Sequence, residues 1–145
     1  MISVPDRGVV RHDLATMLRA HVTLAQAVFD EEPGDLGAKT PVLVVESRGS
    51  GMTPLTFRAG QFMFRYVIRV YTVAAKTAAG AYTYADSADK VDALEAQIRS
   101  AILTNPLRWE ACRYDGDSTI ELGIFNSDGI WRYREEIPIA ITLFG

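Results

Sequence analysis

Apolar side chains recur at every second position along residues 62–73. Neighbouring side chains on a β-strand point to opposite faces of the sheet. One face of this segment is therefore apolar, and the other carries two arginines among apolar neighbours. Because aromatic and β-branched residues favour a pleated surface, we predict a long strand. The first face comprises Phe62, Phe64, Tyr66, Ile68 and Val70, and the second Met63, Arg65, Val67, Arg69 and Tyr71.

A different spacing, of three and four residues, predicts a first helix over residues 13–29. Asp13 is a residue type that caps helix N-termini well. The acidic segment 30–35 contains a Pro-Gly pair that ends the pattern, and we expect it to be exposed. The apolar stripe of this helix is Leu14, Met17, Leu18, His21, Leu24, Ala25 and Val28.

The same spacing predicts a second helix over residues 86–103. Asp86 or Ser87 caps its start, and the pair Asn105-Pro106 ends it. Its apolar stripe is Ala88, Val91, Leu94, Ile98, Ala101 and Ile102.

The remaining strands are short, except for the last. A continuous apolar run is typical of a strand buried on both faces, and turn residues separate the C-terminal strands from one another. Pro138 cannot donate a hydrogen bond to a neighbouring strand, so an edge strand or a bulge is expected there. The predicted strands are residues 41–47, 109–114, 119–125 and 130–144, with a flexible loop over about 48–61 and an extended loop over about 76–85.

The elements follow the order α-β-β-α-β-β, with one extra short strand among the C-terminal segments. We therefore predict a single α+β domain over residues 1–145, with a mainly antiparallel sheet of about four strands and two helices packed on one face. The second face of the sheet keeps apolar residues beside its arginines. A half-apolar, half-charged surface of this kind suits an assembly interface.

Composition narrows the class of protein. The chain has 145 residues, of which 48% are hydrophobic and 23% charged, as in a globular domain. A formal net charge of −3 does not favour tight nucleic-acid binding. Cys112 is the only cysteine, so no disulfide forms within the chain. The first residues lack the apolar core of a signal peptide, and no run approaches the ~20 apolar residues of a membrane span. We expect a cytoplasmic protein without a membrane partner.

The sequence contains no diagnostic metal site. His12 and His21 are nine residues apart, and at ~100° per residue they point to opposite sides of a helix. Asp115 opens an acidic turn, but Ile120 occupies the position where a calcium loop needs glycine, and Asn126 the position of its bidentate glutamate. We expect no bound metal.

Catalytic signatures are also missing. The segment 49–51 (Gly-Ser-Gly) is not followed by the lysine and hydroxyl of a phosphate loop, nor directly by a helix. Cys112 lies in a strand pattern and is expected to be buried and inert. The carboxylates form no diagnostic constellation. We expect neither an enzyme nor a cofactor.

Four arginines on the two longest strands form the candidate functional cluster. If those strands are neighbours, side chains on the same face lie within reach across the ladder. The cluster would then contact a partner or line a channel through which nucleic acid passes. The alternative is a solvated face balanced by acidic residues such as Glu135 and Glu136. The arginines are Arg65, Arg69, Arg132 and Arg134.

The layout resembles the tail terminator (tail completion) proteins and related minor tail proteins of long-tailed bacteriophages. The similarity covers most of the chain and rests on the order of its elements, without a sharp motif. It comprises an amphipathic helix, a short strand at 41–47, the aromatic strand at 62–73, the helix at 86–103 and the closing segment GIWRYREEIPIAI at 129–141.

This resemblance implies a structural virion assembly protein without catalytic residues. Such a protein forms a homo-oligomeric ring, typically a hexamer, that caps the tail tube and provides the head–tail joining surface. Its partners would be copies of itself, the tail-tube protein and the head–tail connector protein, with DNA only in passing. It would assemble in the host cytoplasm and remain in the virion tail. Tyr82 and Tyr84 in the extended loop are then candidates for subunit or tube contacts.

Two alternatives remain open at this stage. One is a head–tail connector or another minor tail protein, which would share these features. The other is a small-molecule-binding or enzymatic α+β domain, which would need a concave pocket with convergent polar groups.

Overall fold

The strand predicted over residues 62–73 is present, slightly extended, with a paired neighbour on each side. The computed structural model describes residues 5–33, 36, 40–54, 60–76, 82–83, 85–104, 106–107, 109 and 111–144. In chain order its elements are α1 (Arg7–His21), β1 (Ala27–Phe29), β2 (Val42–Pro54), β3 (Gly60–Val73), β4 (Ala75–Lys76), β5 (Tyr82–Thr83), α2 (Ala85–Thr104), β6 (Ala111–Tyr114), β7 (Thr119–Ile124) and β8 (Trp131–Phe144).

Six strands form one mixed sheet in the order β1-β2-β3-β8, with β6 and β7 both pairing with the outer side of β8. β1 runs parallel to β2, and the other pairs are antiparallel. A separate ribbon joins β4 to β5. The α+β class is thus confirmed, whereas the sheet is larger than the four antiparallel strands predicted. The predicted order missed β1 and the β4–β5 ribbon.

Both helices pack on the same face of the sheet, as predicted. We call this the helix-side face, and the opposite one the reverse face. The stripe of α2 from Val91 to Ile102 is buried against it, together with the apolar side of α1. The core on this face includes Val10, Leu14, Leu18, Tyr66, Ile68, Val70, Leu94, Ile98, Ile137, Ile139 and Ile141.

The first helix begins and ends earlier than predicted. Asp6, not Asp13, is the N-cap, and its carboxylate accepts a 2.6 Å hydrogen bond from the Gly8 N–H. The helix stops at His21, and the following Ala27–Phe29 segment pairs with β2 instead. Val28 is buried in that strand, as it would be in a helix. The spacing of apolar residues therefore did not distinguish a helix from a strand at residues 27–29.

Strand β2 overturns the flexible loop predicted over residues 48–61. It continues to Pro54, paired with β3 along its length, and a bulge near Arg48 shifts the register. The Gly-Ser sequence has a low strand propensity, but pairing with β3 overrides it. Residues 55–59 lie outside the described part of the chain. Of the loop predicted over 76–85, the ends form β4, β5 and the start of α2, and residues 77–81 and 84 are likewise outside it.

Pro138 marks a break in the outer strand. Its carbonyl accepts a 2.8 Å hydrogen bond from the Asp115 N–H, so its nitrogen also faces the β6–β7 side of β8. There the ladder is interrupted, because residues 115–118 bulge out between β6 and β7. β8 is thus an interior strand whose outer ladder is interrupted at Pro138, where an edge strand or a bulge was predicted.

The reverse face is partly covered by the chain itself. Leu36, Phe29 and Phe125 pack against Val42, Val44 and Tyr71. The face predicted to suit an assembly interface is therefore covered at this end by Leu36 and Phe125. At the other end of the face, Arg65 is 40% exposed.

Candidate interaction surface

Arg69 lies at the centre of an ion-pair network on the reverse face. Its guanidinium group contacts the carboxylates of Glu46, Glu32 (3.1 Å) and Glu136 (3.2 Å). Burial alone would lower the pKa of Arg69, but hydrogen bonds to Glu46 and Glu136 outweigh it and the pKa is raised. Arg69 is therefore charged and held by three acidic residues.

Glu136 connects this network to two further arginines. Arg48 donates to it at 2.8 Å, and Arg134 lies 3.3 Å from its other oxygen. Arg134 also pairs with Glu121 at 3.1 Å and lies over the Phe125 ring, 4.0 Å from the centroid. The pairing of β3 with β8 thus brings Arg69 and Arg134 together, as predicted from their alternation.

Glu32 ties the segment after β1 to the same network. The Tyr71 hydroxyl donates to it at 2.6 Å, and the Asn126 amide at 3.2 Å. Burial, followed by the hydrogen bond to Glu32, raises the pKa of Tyr71. The acidic segment predicted to be exposed therefore makes specific contacts through one of its glutamates.

The other two arginines of the predicted cluster lie elsewhere. Arg65 pairs with Asp115 at 3.4 Å, and Asp115 also pairs with Arg113 at 3.7 Å. Arg132 is 1% exposed and holds both oxygens of Asp128 at 2.8 and 2.9 Å. Hydrogen bonds from Arg132 lower the pKa of Asp128. Sequence alternation assigned the face correctly but did not reveal that these arginines occupy opposite ends of it.

Ion pairing leaves the reverse face without excess charge. Glu136 contributes to this balance, whereas Glu135 faces the helices and does not. Balanced charge favours the solvated-face interpretation, and the channel role of the arginines stays a prediction. The paired residues are Arg48, Arg65, Arg69, Arg113 and Arg134 with Glu32, Glu46, Glu121, Glu136 and Asp115.

The tyrosine prediction rests on a part of the chain that is only partly described. Tyr82 pairs with Lys76 in the β4–β5 ribbon. Tyr84 lies outside the described residues. Their role as subunit or tube contacts therefore stays a prediction.

An apolar row on the β7–β8 hairpin was missed in the sequence. By the register of β7 and β8 it lies on the helix-side face, but the helices leave this end of the sheet exposed. The alternation of the three apolar residues of β7, next to a tryptophan after the turn, was the signal that could have revealed it. The row comprises Ile120 (44% exposed), Leu122 (41%), Ile124 (51%) and Trp131 (37%).

Within the described part of the chain, β7 pairs with β8 alone, so its other side is an edge. Backbone groups of successive residues in an antiparallel strand point to opposite sides. The Pro138 carbonyl accepts from Asp115 and so points to the outer side of β8. The carbonyls of Glu136 and Arg134, two and four residues earlier, point to that same side and therefore towards β7. Their partners on β7, Thr119 and Glu121, direct their backbone groups towards β8. The N–H and C=O groups of the alternate residues Ile120, Leu122 and Ile124 consequently point away from β8.

The opposite edge of the sheet carries several protective features. Arg19 donates two hydrogen bonds, of 3.1 and 2.8 Å, to the Val28 carbonyl on the outer side of β1. The exposed half of β2 has its bulge at Arg48, and α1 reaches it through a hydrogen bond from Arg7 to Ser50. Charges and bulges of this kind discourage pairing with another chain.

One acidic side chain is buried beneath α2. Glu135 is 4% exposed, and one of its oxygens accepts a 2.9 Å hydrogen bond from Ser118. Burial, and then the nearby carboxylates of Glu95 and Asp92, raise its pKa. Burial likewise raises the pKa of Cys112 to about 11, but the side chain is half-buried and not fully buried as predicted, and its inertness stays a prediction.

No metal-binding constellation of His, Cys, Asp and Glu side chains occurs among the residues that the structure describes. Neither of the two described helices combines the length and apolarity needed to cross a membrane.

Comparison with models of known protein families and with curated proteins gives no match to this chain.

Proposed function

We propose that this protein is a structural subunit of a long-tailed phage, a tail terminator that caps the tail tube. The resemblance of its element order to that family motivates the proposal. The observation that carries it is the exposed apolar row beside the outer edge of β7. Monomers rarely leave such a surface uncovered, and contacts between assembly subunits cover it.

In this role, typically six copies form a closed ring on the last ring of tube subunits. Each copy contacts the next through two different surfaces, which closes the ring and gives it two distinct sides. One side meets the tail-tube protein and the other the head–tail connector protein. The role requires no catalysis, and the protein moves from the host cytoplasm into the virion tail.

The balanced reverse face supports the passage of DNA without retention. Tight non-specific binding requires many phosphate contacts, and each contact needs a lysine or arginine that is available to DNA. The reverse-face arginines named above are paired with carboxylates.

Imaging with purified tail-tube protein tests the proposal. With tail-tube protein present, we expect negative-stain images to show one closed ring at a tube end that no longer grows. A strict monomer that neither forms rings nor binds tube ends would contradict the proposal. Binding to the connector but not to tube ends would instead favour the neighbouring connector role.

A matched pair of variants tests whether tube capping depends on the apolar row of the β7–β8 hairpin. Ile124→Lys places a charge in the apolar row, and Val9→Lys places the same charge on α1, where Val9 is also half-exposed. We expect the first to lose tube capping and the second to retain it. Equal capping by both variants would remove the row from the argument.

A further inference from the structure

We infer that β7 forms the interface of a two-fold dimer. Its outer edge pairs with β7 of a second copy in an antiparallel register centred on Leu122. The inference rests on the surface used for the proposed function and names its partner in the free protein. A second copy is the occupant because the outward-facing backbone groups of β7 pair with themselves, in a register that keeps the two Glu121 side chains from lying directly opposite each other.

Hydrogen bonding is complementary in this register. The outward-facing groups belong to Ile120, Leu122 and Ile124, at every second position. Antiparallel pairing centred on Leu122 places Ile120 opposite Ile124 of the second copy and Leu122 opposite itself. Three hydrogen-bonded pairs form, each exchanging two bonds, and the apolar rows of the two copies become neighbours on one face.

The charges select the same register. With Leu122 at the centre, Glu121 lies opposite Gly123 of the second copy, and its carboxylate stays paired with Arg134. A shift centred on Glu121 would place two glutamates directly opposite each other, which is destabilising. A shift centred on Gly123 would leave Ile120 without a partner residue on the edge.

A two-fold dimer and a ring with two distinct sides are different assemblies. The same surface of both copies meets across a two-fold axis, whereas a ring of this kind joins two different surfaces. The β7 dimer is therefore the form of the free protein. It covers the outer edge of β7 until the protein reaches its place of assembly.

Disulfide trapping tests the register. In a Cys112→Ala background, Leu122→Cys places two thiols opposite each other, with Cα atoms ~5.5 Å apart, within disulfide range. Ile120→Cys is the matched control, since its two copies would be four residues out of register, ~14 Å apart. Under mild oxidation, we expect a covalent dimer from Leu122→Cys and none from Ile120→Cys.

A mixture of Ile120→Cys and Ile124→Cys proteins, in the same background, should cross-link to each other. Equal cross-linking of Leu122→Cys and Ile120→Cys would overturn the register. A Leu122→Cys protein that remains monomeric at high micromolar concentration would overturn the dimer.

Sedimentation of the free protein tests the dimer without a covalent bond. Leu122→Lys places like charges across the two-fold axis, and Leu103→Lys adds the same charge on α2, where Leu103 is exposed. We expect the first to raise the dimer Kd at least tenfold and the second to leave it unchanged. An unchanged Kd in both variants would overturn the inference.

The β7 dimer and the terminator role can be contradicted separately. A monomer that still caps tubes would remove the dimer and keep the terminator role. A dimer with the predicted cross-link that never binds tube ends would do the reverse.

Discussion

Arg69 shows how one side chain can organise a sheet face. It is 14% exposed and lies among three carboxylates, two from flanking strands and one from the segment after β1. Removing a partly buried cation leaves its acidic partners repelling one another, which costs more than the net strength of the pairs. Its contribution is therefore to hold neighbouring segments in place.

Replacement of this side chain gives the first prediction. We expect Arg69→Met to lower the free energy of unfolding by about 2 kcal/mol, because Glu32, Glu46 and Glu136 lose their shared partner. Arg48→Met removes an exposed arginine from the same network and should cost less than about 0.5 kcal/mol. Urea denaturation with an unchanged slope measures both. Equal losses would show that Arg69 is only a surface residue.

Glu135 makes stability depend on pH. Its pKa is raised in the folded protein by burial beneath α2, with Glu95 and Asp92 facing it from that helix and Ser118 donating to it. The unfolded chain releases this proton at a lower pH, near the ordinary pKa of 4.5. Stability from this group is therefore complete below pH 4.5, and falls as the pH rises towards the raised pKa.

We accordingly expect Glu135→Gln to be more stable than the wild type at pH 7, on the order of 1 kcal/mol, and equally stable near pH 4. The amide keeps the hydrogen bond from Ser118 and has no charge to bury. Glu121→Gln, an exposed site on β7, should change the pH profile little. Thermal unfolding between pH 4 and 8 compares them. A constant difference across that range would contradict this account.

At the scale of elements, the start of α1 shows that a good capping residue does not by itself mark the N-terminus of a helix. Asp6 and Asp13 are both good capping residues, but only Asp6 precedes the first turn and accepts the Gly8 N–H. We expect Asp6→Ala to cost about 1 kcal/mol and Asp13→Ala little. Helix content by circular dichroism and urea denaturation measure the two. A larger loss from Asp13→Ala would contradict the assigned N-cap.

Elements with strong periodicity were predictable from the sequence, and those fixed by distant partners were not. The alternation in β3 and the stripe of α2 identified both elements to within a few residues. β1 is only three residues long and exists because it pairs with β2. The Gly-rich half of β2 is a strand because β3 pairs with it, information that no local window contains.

The same limit applies to the candidate surface. Alternation placed Arg65 and Arg69 on one face, but it did not indicate which carboxylates would pair with them. Glu32 reaches Arg69 from a segment 37 positions away in the sequence. The apolar alternation of β7 was readable, yet its exposure depends on where α2 ends its coverage of the sheet.

At the scale of the whole molecule, charge balance determines how the reverse face meets DNA. Asp115 holds both Arg65 and Arg113, so Asp115→Asn would release two arginines while its backbone N–H still donates to Pro138. Asp117→Asn makes the same charge change in the adjacent turn, where Asp117 is exposed and forms no ion pair with any residue that the structure describes.

We expect wild-type protein to bind duplex DNA weakly, with little salt dependence. Each phosphate contact contributes a slope of about −0.9 to log K against log salt, so Asp115→Asn should steepen the slope by up to about 1.8. Asp117→Asn should behave as the wild type. Fluorescence anisotropy over a salt series measures all three. A steep slope in the wild type would show that the arginines are already available to phosphates, which would contradict the passage of DNA without retention.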